Sequence, residues 1–307
     1  MIESFREAFG RALVEIGKKR EEVVVIDADV KGSTKTIYFE KAFPKRFIQV
    51  GISEQDMIGT AAGLAIAGKI PVASAFAVFL MRAWEQIRNT VARDNLNVKI
   101  VGTHSGFSDY MDGSSHQCLE DIALMRVLPN MKVVVPADAY ATKVLLEQII
   151  DTYGPVYMRL GRDYAPRVYE DGTKIKLGKA NVLRKGKEIL LVAAGTLVHT
   201  ALNVAKMLEK LNVDASVIDM HTIKPLDEKT LLNYAKRAEL VITLEEHSIY
   251  GGLGGAVAEV LSEKLPRRVV RIGTVEFGQS GRDYLALLDR YGLTPDKIYQ
   301  KIVQVVM

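Results

Sequence analysis

Glu54 stands at a strand-to-helix turn, in Gly51-Ile52-Ser53-Glu54-Gln55-Asp56-Met57. The apolar run Phe47-Ile48-Gln49-Val50 leads into Gly51, and the small-residue run Gly59-Thr60-Ala61-Ala62-Gly63-Leu64-Ala65 follows as a helix. Ser53, with Asp56 three residues on, has the spacing of a capping box. A carboxylate at such a turn can protonate or hydrogen-bond a ring nitrogen when apolar neighbours keep water out. It also reads as a plain first-turn acid favoured by the helix dipole. Other chemistry-bearing residues are spread along the chain. Asp27-Ala28-Asp29-Val30 follows a strand, with Ser33 beyond it; acids there often cap a turn. Phe76 and Phe79 follow another strand, a spacing common in cores. The Gly/Ser-rich stretch from Gly102 to Gln117 carries His104, Asp112 and His116 at spacings that match no zinc pattern. Imidazoles in such a loop can move protons near neutral pH. Arg159-Leu160-Gly161-Arg162 ends a further strand and reads equally as two surface arginines.

Alternating elements position these residues. Val23 to Ile26, Phe47 to Val50, Val72 to Ser74, Val98 to Val101, Val133 to Val135 and Val156 to Met158 read as strands. Helical periodicity marks 4–16, 56–67, 81–92 and 140–150. The alternation predicts an α/β fold with a mostly parallel sheet covered on both faces. Residues 166–187 lapse into polar, Gly- and Lys-rich sequence and read as a linker between domains at 1–165 and 188–307. The second domain has strands at 189–193, 215–218, 240–244 and 269–272, and helices at 200–211 and 230–238. Ligands of parallel α/β sheets bind beyond the carboxyl ends of strands. That rule selects the segments after Ile26, Val50, Ser74, Val101 and Met158.

A 307-residue chain that is 48% hydrophobic and 25% charged has the make-up of a soluble globular protein with two domains. The net charge of +4 is interspersed, without the like-charge runs of a nucleic-acid arm. No apolar stretch is long enough to span a bilayer, and the N-terminus is unlike a secretory signal. The single cysteine, Cys118, excludes an intrachain disulfide and fits a reducing cytoplasm. Gly251-Gly252-Leu253-Gly254-Gly255 is separated from its strand by Glu245 to Tyr250, which suits a tight turn and close helix packing better than a dinucleotide site.

The Gly-Ile-Ser-Glu-Gln turn resembles the one that carries the catalytic glutamate in the pyrimidine-binding domain of thiamine-diphosphate enzymes, and its wording is closest to the transketolases. The resemblance runs from Arg6 to Arg162 and, more weakly, to the C-terminus. It implies a thiamine-diphosphate-binding, pyrimidine-type parallel-sheet domain followed by a transketolase C-terminal α/β domain with structural and interface roles, His247 among the structural residues. It further implies that Glu54 protonates the aminopyrimidine ring and so promotes formation of the cofactor's carbanion. Phe79, with Phe76 behind it, forms an aromatic wall against that ring, and Asp29 lies near the cofactor. His104, Asp112 and His116 would bind the sugar, with Arg6, Ser33 and Arg162 on its phosphate; arginine's planar fork suits phosphate. Arg82 stands where members have a tyrosine, Ser114 where proline is common and Met111 where an acid is common.

The Gly-Asp-Gly motif with which this superfamily holds Mg²⁺ and diphosphate does not occur in the chain. The resemblance therefore implies the C-terminal subunit of a split transketolase, active with an N-terminal partner subunit that supplies the Mg²⁺ ligands. A heterotetramer is expected, acting on sugar phosphates. Three other readings share features with it. They are the β-subunit of a 2-oxo acid dehydrogenase E1 component, deoxyxylulose-phosphate synthase, and a noncatalytic scaffold subunit that retains the fold.

Overall fold

The computed structural model describes residues 2–162 and 164–306. The first domain contributes β1 (Ile2–Ser4), β2 (Val23–Asp27), β3 (Phe47–Gln49), β4 (Ile70–Phe76), β5 (Lys99–Thr103), β6 (Lys132–Val134), β7 (Val156–Arg159) and β8 (Tyr164–Pro166). The second contributes β9 (Asn181–Arg184), β10 (Ile189–Ala193), β11 (Ala215–Asp219), β12 (Thr222–Lys224), β13 (Leu240–Ser248) and β14 (Arg268–Thr274). Two α/β layers result. One sheet has the order β12-β6-β7-β5-β4-β2-β3, and the other β14-β13-β10-β11-β9. Within these two sheets all pairings are parallel except those of the edge strands β12 and β9, and β1 and β8 form a separate antiparallel pair. Every residue of β2, β4, β5 and β7 is buried, the pattern of strands covered on both faces.

The helix Phe5–Lys19 shows why the sequence folds as it does. Ser4 caps it by accepting from Glu7 N–H, while Phe5, Phe9, Ala12, Leu13 and Ile16 recur at helical spacing and are buried. The helix packs against Ala139–Asp151, whose cap is Asp138. No helix among the described residues is long and apolar enough to cross a membrane.

Three local expectations are corrected. The stretch 166–187, read as a linker, contains the whole of β9, which pairs with β11 and so belongs to the second sheet. Its polar composition follows from its place at an edge, where each residue is only half-buried. In the other direction, β12 leaves the second domain to pair with β6, joining the two domains through one sheet. The helix expected at 81–92 is a succession of a 3-10 turn at Met81–Ala83, an α turn at Trp84–Gln86 and a π-helix at Ile87–Ala92. Ser53 occupies the N-cap position of the helix Glu54–Ile66, but its side chain makes no capping bond, so the capping box is not formed.

Candidate active site

Apart from Arg6, on the helix Phe5–Lys19, the candidate residues come from the carboxyl ends of β2, β3, β4, β5 and β7, which lie side by side in the sheet. Gly51 turns the chain at φ +74°, and Glu54 opens the helix that follows. Its side chain is 7% exposed and hydrogen-bonds to no described residue. It lines an open cavity of about 620 Å³ with Ile52, Val78, Phe79, Arg82 and Ser115. A buried carboxylate that meets open space between apolar walls fits a ring nitrogen that shares or takes its proton. The chain thus fits the pyrimidine half of thiamine diphosphate. Among the described residues no three His, Cys, Asp or Glu side chains stand together as a metal cage.

A row of rings runs from this cavity to the other end of the site. Phe79 stacks on Phe76 with centroids 4.8 Å apart, and Phe76 stacks on His104 at 3.6 Å. His116 meets the edge of Phe79 at 5.5 Å. His104 sits at φ +55° in a buried loop. Its Nε2 is 3.4 Å from Arg6 Nη1, and its Nδ1 is 2.8 Å from Thr103 Oγ1. A guanidinium only donates, so Nε2 is the acceptor and the proton sits on Nδ1, which donates to Thr103. Burial, reinforced by the charges of Arg6, Arg162 and His116, pushes the imidazole down to about 2. The ring is therefore neutral across the physiological range.

Arg6 ties the distant segments together. Its Nε donates to Arg162 O at 2.7 Å and its Nη1 to Ser33 O at 2.8 Å. The short antiparallel pair β1–β8 explains the meeting, because Ser4 faces Tyr164 and so sets Arg6 beside Arg162. Arg162 is fixed in turn. Its N–H donates to Ser108 Oγ at 2.9 Å, its Nη1 to Asp109 Oδ1 at 2.6 Å, and its guanidinium lies 5.8 Å from the Tyr110 ring centre. Asp109 is fully buried, and its Oδ2 has no partner among the described residues. Burial pushes its carboxyl up to about 6, opposed by Arg162 and reinforced by Asp112.

Arg6, Ser33, His104 and Arg162 are thus brought into contact, and Phe76, Phe79, His116 and Glu54 continue from His104 along the ring row and the cavity. Asp112 is exposed beside Asp109. Asp29 is exposed at φ +64° and joins the edge of the site through Gln49, whose Oε1 accepts from both Asp29 N–H and Gly51 N–H. Its buried neighbour Asp27 instead accepts from Val30 N–H and from the hydroxyls of Thr34 and Thr36. Arg159 is not a surface arginine. It is 6% exposed, pairs with Asp121 at 2.8 Å, and donates to the carbonyls of Cys118 and Glu246.

Sequence reasoning missed Ser108, Asp109 and Ser115. All three lie inside the 102–117 stretch, but no spacing signal separates them from ordinary loop polars. In the second domain, the N-terminus of the helix Leu253–Lys264 is filled from within. Glu245 accepts from Leu253 N–H and Gly254 N–H at 2.7 and 2.8 Å. The amides that would hold a phosphate are already satisfied. His247 Nδ1 lies 2.7 Å from Ser248 O, and its Nε2 accepts Ala123 N–H of the first domain at 3.4 Å.

Comparison with known proteins covers nearly the whole chain. The transketolase pyrimidine binding domain family matches residues 3–167, and the transketolase C-terminal domain family matches residues 178–298. A chain provisionally named a transketolase C-terminal section, from Methanocaldococcus jannaschii, is 45% identical, over 99% of this chain and 96% of its own length. The 6-deoxy-6-sulfo-D-fructose transketolase subunit SqwH of Clostridium sp. is 38% identical, over 95% and 91%. A solved structure described as a split gene transketolase, inactive beta4 tetramer, matches with a TM-score of 0.90 at 47% identity, over 98% of this chain and 97% of that one.

Proposed function

The chain belongs to the transketolase family, and from that premise we propose that it is the C-terminal subunit of a split, thiamine-diphosphate-dependent transketolase. It moves a two-carbon ketol unit from a ketose phosphate to an aldose phosphate. The observation that carries this reading is the convergence of Arg6, Ser33, His104 and Arg162 at one end of a ring row whose other end meets the Glu54 cavity. Two arginines beside a serine suit a phosphate, which a 2-oxo acid substrate lacks.

In this reading Glu54 holds the proton on the aminopyrimidine nitrogen, and Phe79, Phe76, Ile52 and Val78 exclude water from that contact. Neutral His104 accepts at Nε2 and so keeps Arg6 oriented, while His116 and Asp112 reach the sugar hydroxyls. Bound thiamine diphosphate supplies the carbanion chemistry. Its diphosphate and Mg²⁺ are held by the partner subunit, whose oxygen ligands suit that hard cation. The proposed assembly is a heterotetramer in the cytoplasm. The split, inactive β4 relative supports the need for a partner, and the sulfofructose relative supports leaving the donor sugar open within the ketoses.

The test compares xylulose 5-phosphate with its unphosphorylated ketose in the two-subunit enzyme. The reading expects kcat/KM to favour the phosphorylated donor by at least tenfold, and Arg162→Ala to erase that preference. Turnover of pyruvate with no transfer from either ketose would replace it with the 2-oxo acid reading.

A further inference from the structure

The carboxyl edge of a parallel sheet is where an α/β domain keeps its ligand. In the second sheet that edge carries Thr196, beyond β10, and Glu246, near the end of β13. What it grips is a loop of the first domain. Glu246 is 5% exposed. Its Oε1 accepts Phe107 N–H at 2.6 Å, and its Oε2 accepts the hydroxyls of Thr196 at 2.7 Å and Tyr284 at 2.5 Å. Its own carbonyl accepts Arg159 Nη2 at 2.9 Å. Gly106, at φ +65°, makes room for this grip, because a Cβ there would overlap the Glu246 carboxyl group. A carboxylate bonded to a backbone N–H is among the stronger neutral-partner contacts available to a loop.

The gripped residue, Phe107, whose ring stacks on Tyr291 of the second domain, stands in the loop that carries residues of the candidate site. Ser108, next along, holds Arg162 N–H, and Asp109 holds the Arg162 guanidinium. His104, three residues back, lies on Phe76 and against Arg6. We infer that Glu246 is a positioning residue: a side chain of the second domain that sets the 104–109 loop and, through it, the placement of His104 and Arg162 against the substrate. Small displacements of such groups are felt strongly in reactions that depend on placement. A residue that merely joined the two domains would change stability and leave substrate affinity alone.

Only the kinetic arm of the test rests on the ketol-transfer reading. Hydrogen exchange on the chain by itself reports the loop directly. Glu246→Ala is expected to speed amide exchange of residues 104–109 at least tenfold while β2, β4 and β5 keep their rates. In the two-subunit enzyme it is expected to raise KM for the phosphorylated ketose at least tenfold, with a smaller change in kcat. Glu246→Gln keeps an acceptor for Phe107 N–H and is expected to recover most of both effects. Unchanged exchange at 104–109 in Glu246→Ala overturns the inference. If that variant loosens the whole chain, Glu246→Gln decides, since a neutral acceptor weakens the grip without emptying it: residual loosening confined to 104–109 supports the inference, and even loosening, or none, overturns it. Local loosening in Glu246→Ala, together with a wild-type assembly that transfers no ketol group, would leave the inference standing and remove the functional reading instead.

Discussion

Replacing Arg162 by alanine separates the electrostatics of the site from its chemistry. In the native chain Asp109 is fully buried, with one oxygen on Arg162 and the other without a partner among the described residues. Removing one member of a buried ion pair costs about 3–5 kcal/mol. The Arg162 side chain is 25% exposed, so the expected loss lies near the low end, about 3 kcal/mol. The loss depends on pH, and its sign follows from Asp109. The native carboxyl is held at about 6, above its ordinary 3.8, and Arg162 is a cause that lowers it. Without Arg162 it rises further. Between the unfolded and native values the folded chain holds a proton that the unfolded chain has lost, so stability falls as pH rises through that window. The variant's window extends higher than the native one. The gap between the two proteins is therefore small at pH 5 and widens by pH 8, by about 1.4 kcal/mol for each unit of added shift. Urea unfolding followed by Trp84, the single tryptophan and a residue of the first domain, measures the gap. The double variant Asp109→Asn/Arg162→Ala removes the stranded charge and should recover most of the stability at pH 8, while KM for the phosphorylated ketose stays high. A gap equal at both pH values, or a double variant weaker than Arg162→Ala at pH 8, would refute the reasoning.

Glu54→Gln should lower turnover of the two-subunit enzyme by about 10²–10⁴-fold. Its urea midpoint should not move, since Glu54 bonds to no described residue; normal turnover sinks its assignment. Gly102→Ala should cost about 1–3 kcal/mol, because its Cβ would overlap the buried Tyr157 hydroxyl that binds Asp121; an unchanged midpoint contradicts that packing. Tyr169→Phe removes the donor to Asp219, whose buried carboxyl is pushed up to about 8. The loss, about 1–3 kcal/mol, should be larger at pH 9 than at pH 6, because the neutral acid tolerates the missing donor; the reverse order in an unfolding series would count against it.

The long buried strands were legible because both faces of a parallel sheet demand β-branched runs, as in Val23-Val24-Val25-Ile26 and Ile189-Leu190-Leu191-Val192. The short strands β1, β8, β9 and β12 were not, because three or four residues of mixed polarity, only some of them buried, carry no such run. Yet β1 and β8 are what bring Arg6 to Arg162, so the site depends on elements with the weakest signal. Residues at strand ends could be nominated from the sequence, whereas their partners could not. Asp109 is one of several polar residues in its loop, and only the fold shows that it is buried under Arg162. Glu246 lies 139 residues from the amide it binds, and Glu245-Glu246-His247 reads as an ordinary polar strand end. Met111 and Ser114, where the chain departs from the family pattern, are both exposed, so nothing packed around them constrains those positions.

The central claim is that this chain performs ketol transfer only with a diphosphate-binding partner. The most direct measurement mixes the chain with a Gly-Asp-Gly-containing partner subunit, thiamine diphosphate, Mg²⁺, xylulose 5-phosphate and ribose 5-phosphate, and follows sedoheptulose 7-phosphate. The account predicts product from the mixture and none from either subunit alone. A stable, cofactor-loaded complex that forms no product from these or other phosphorylated ketoses would contradict it.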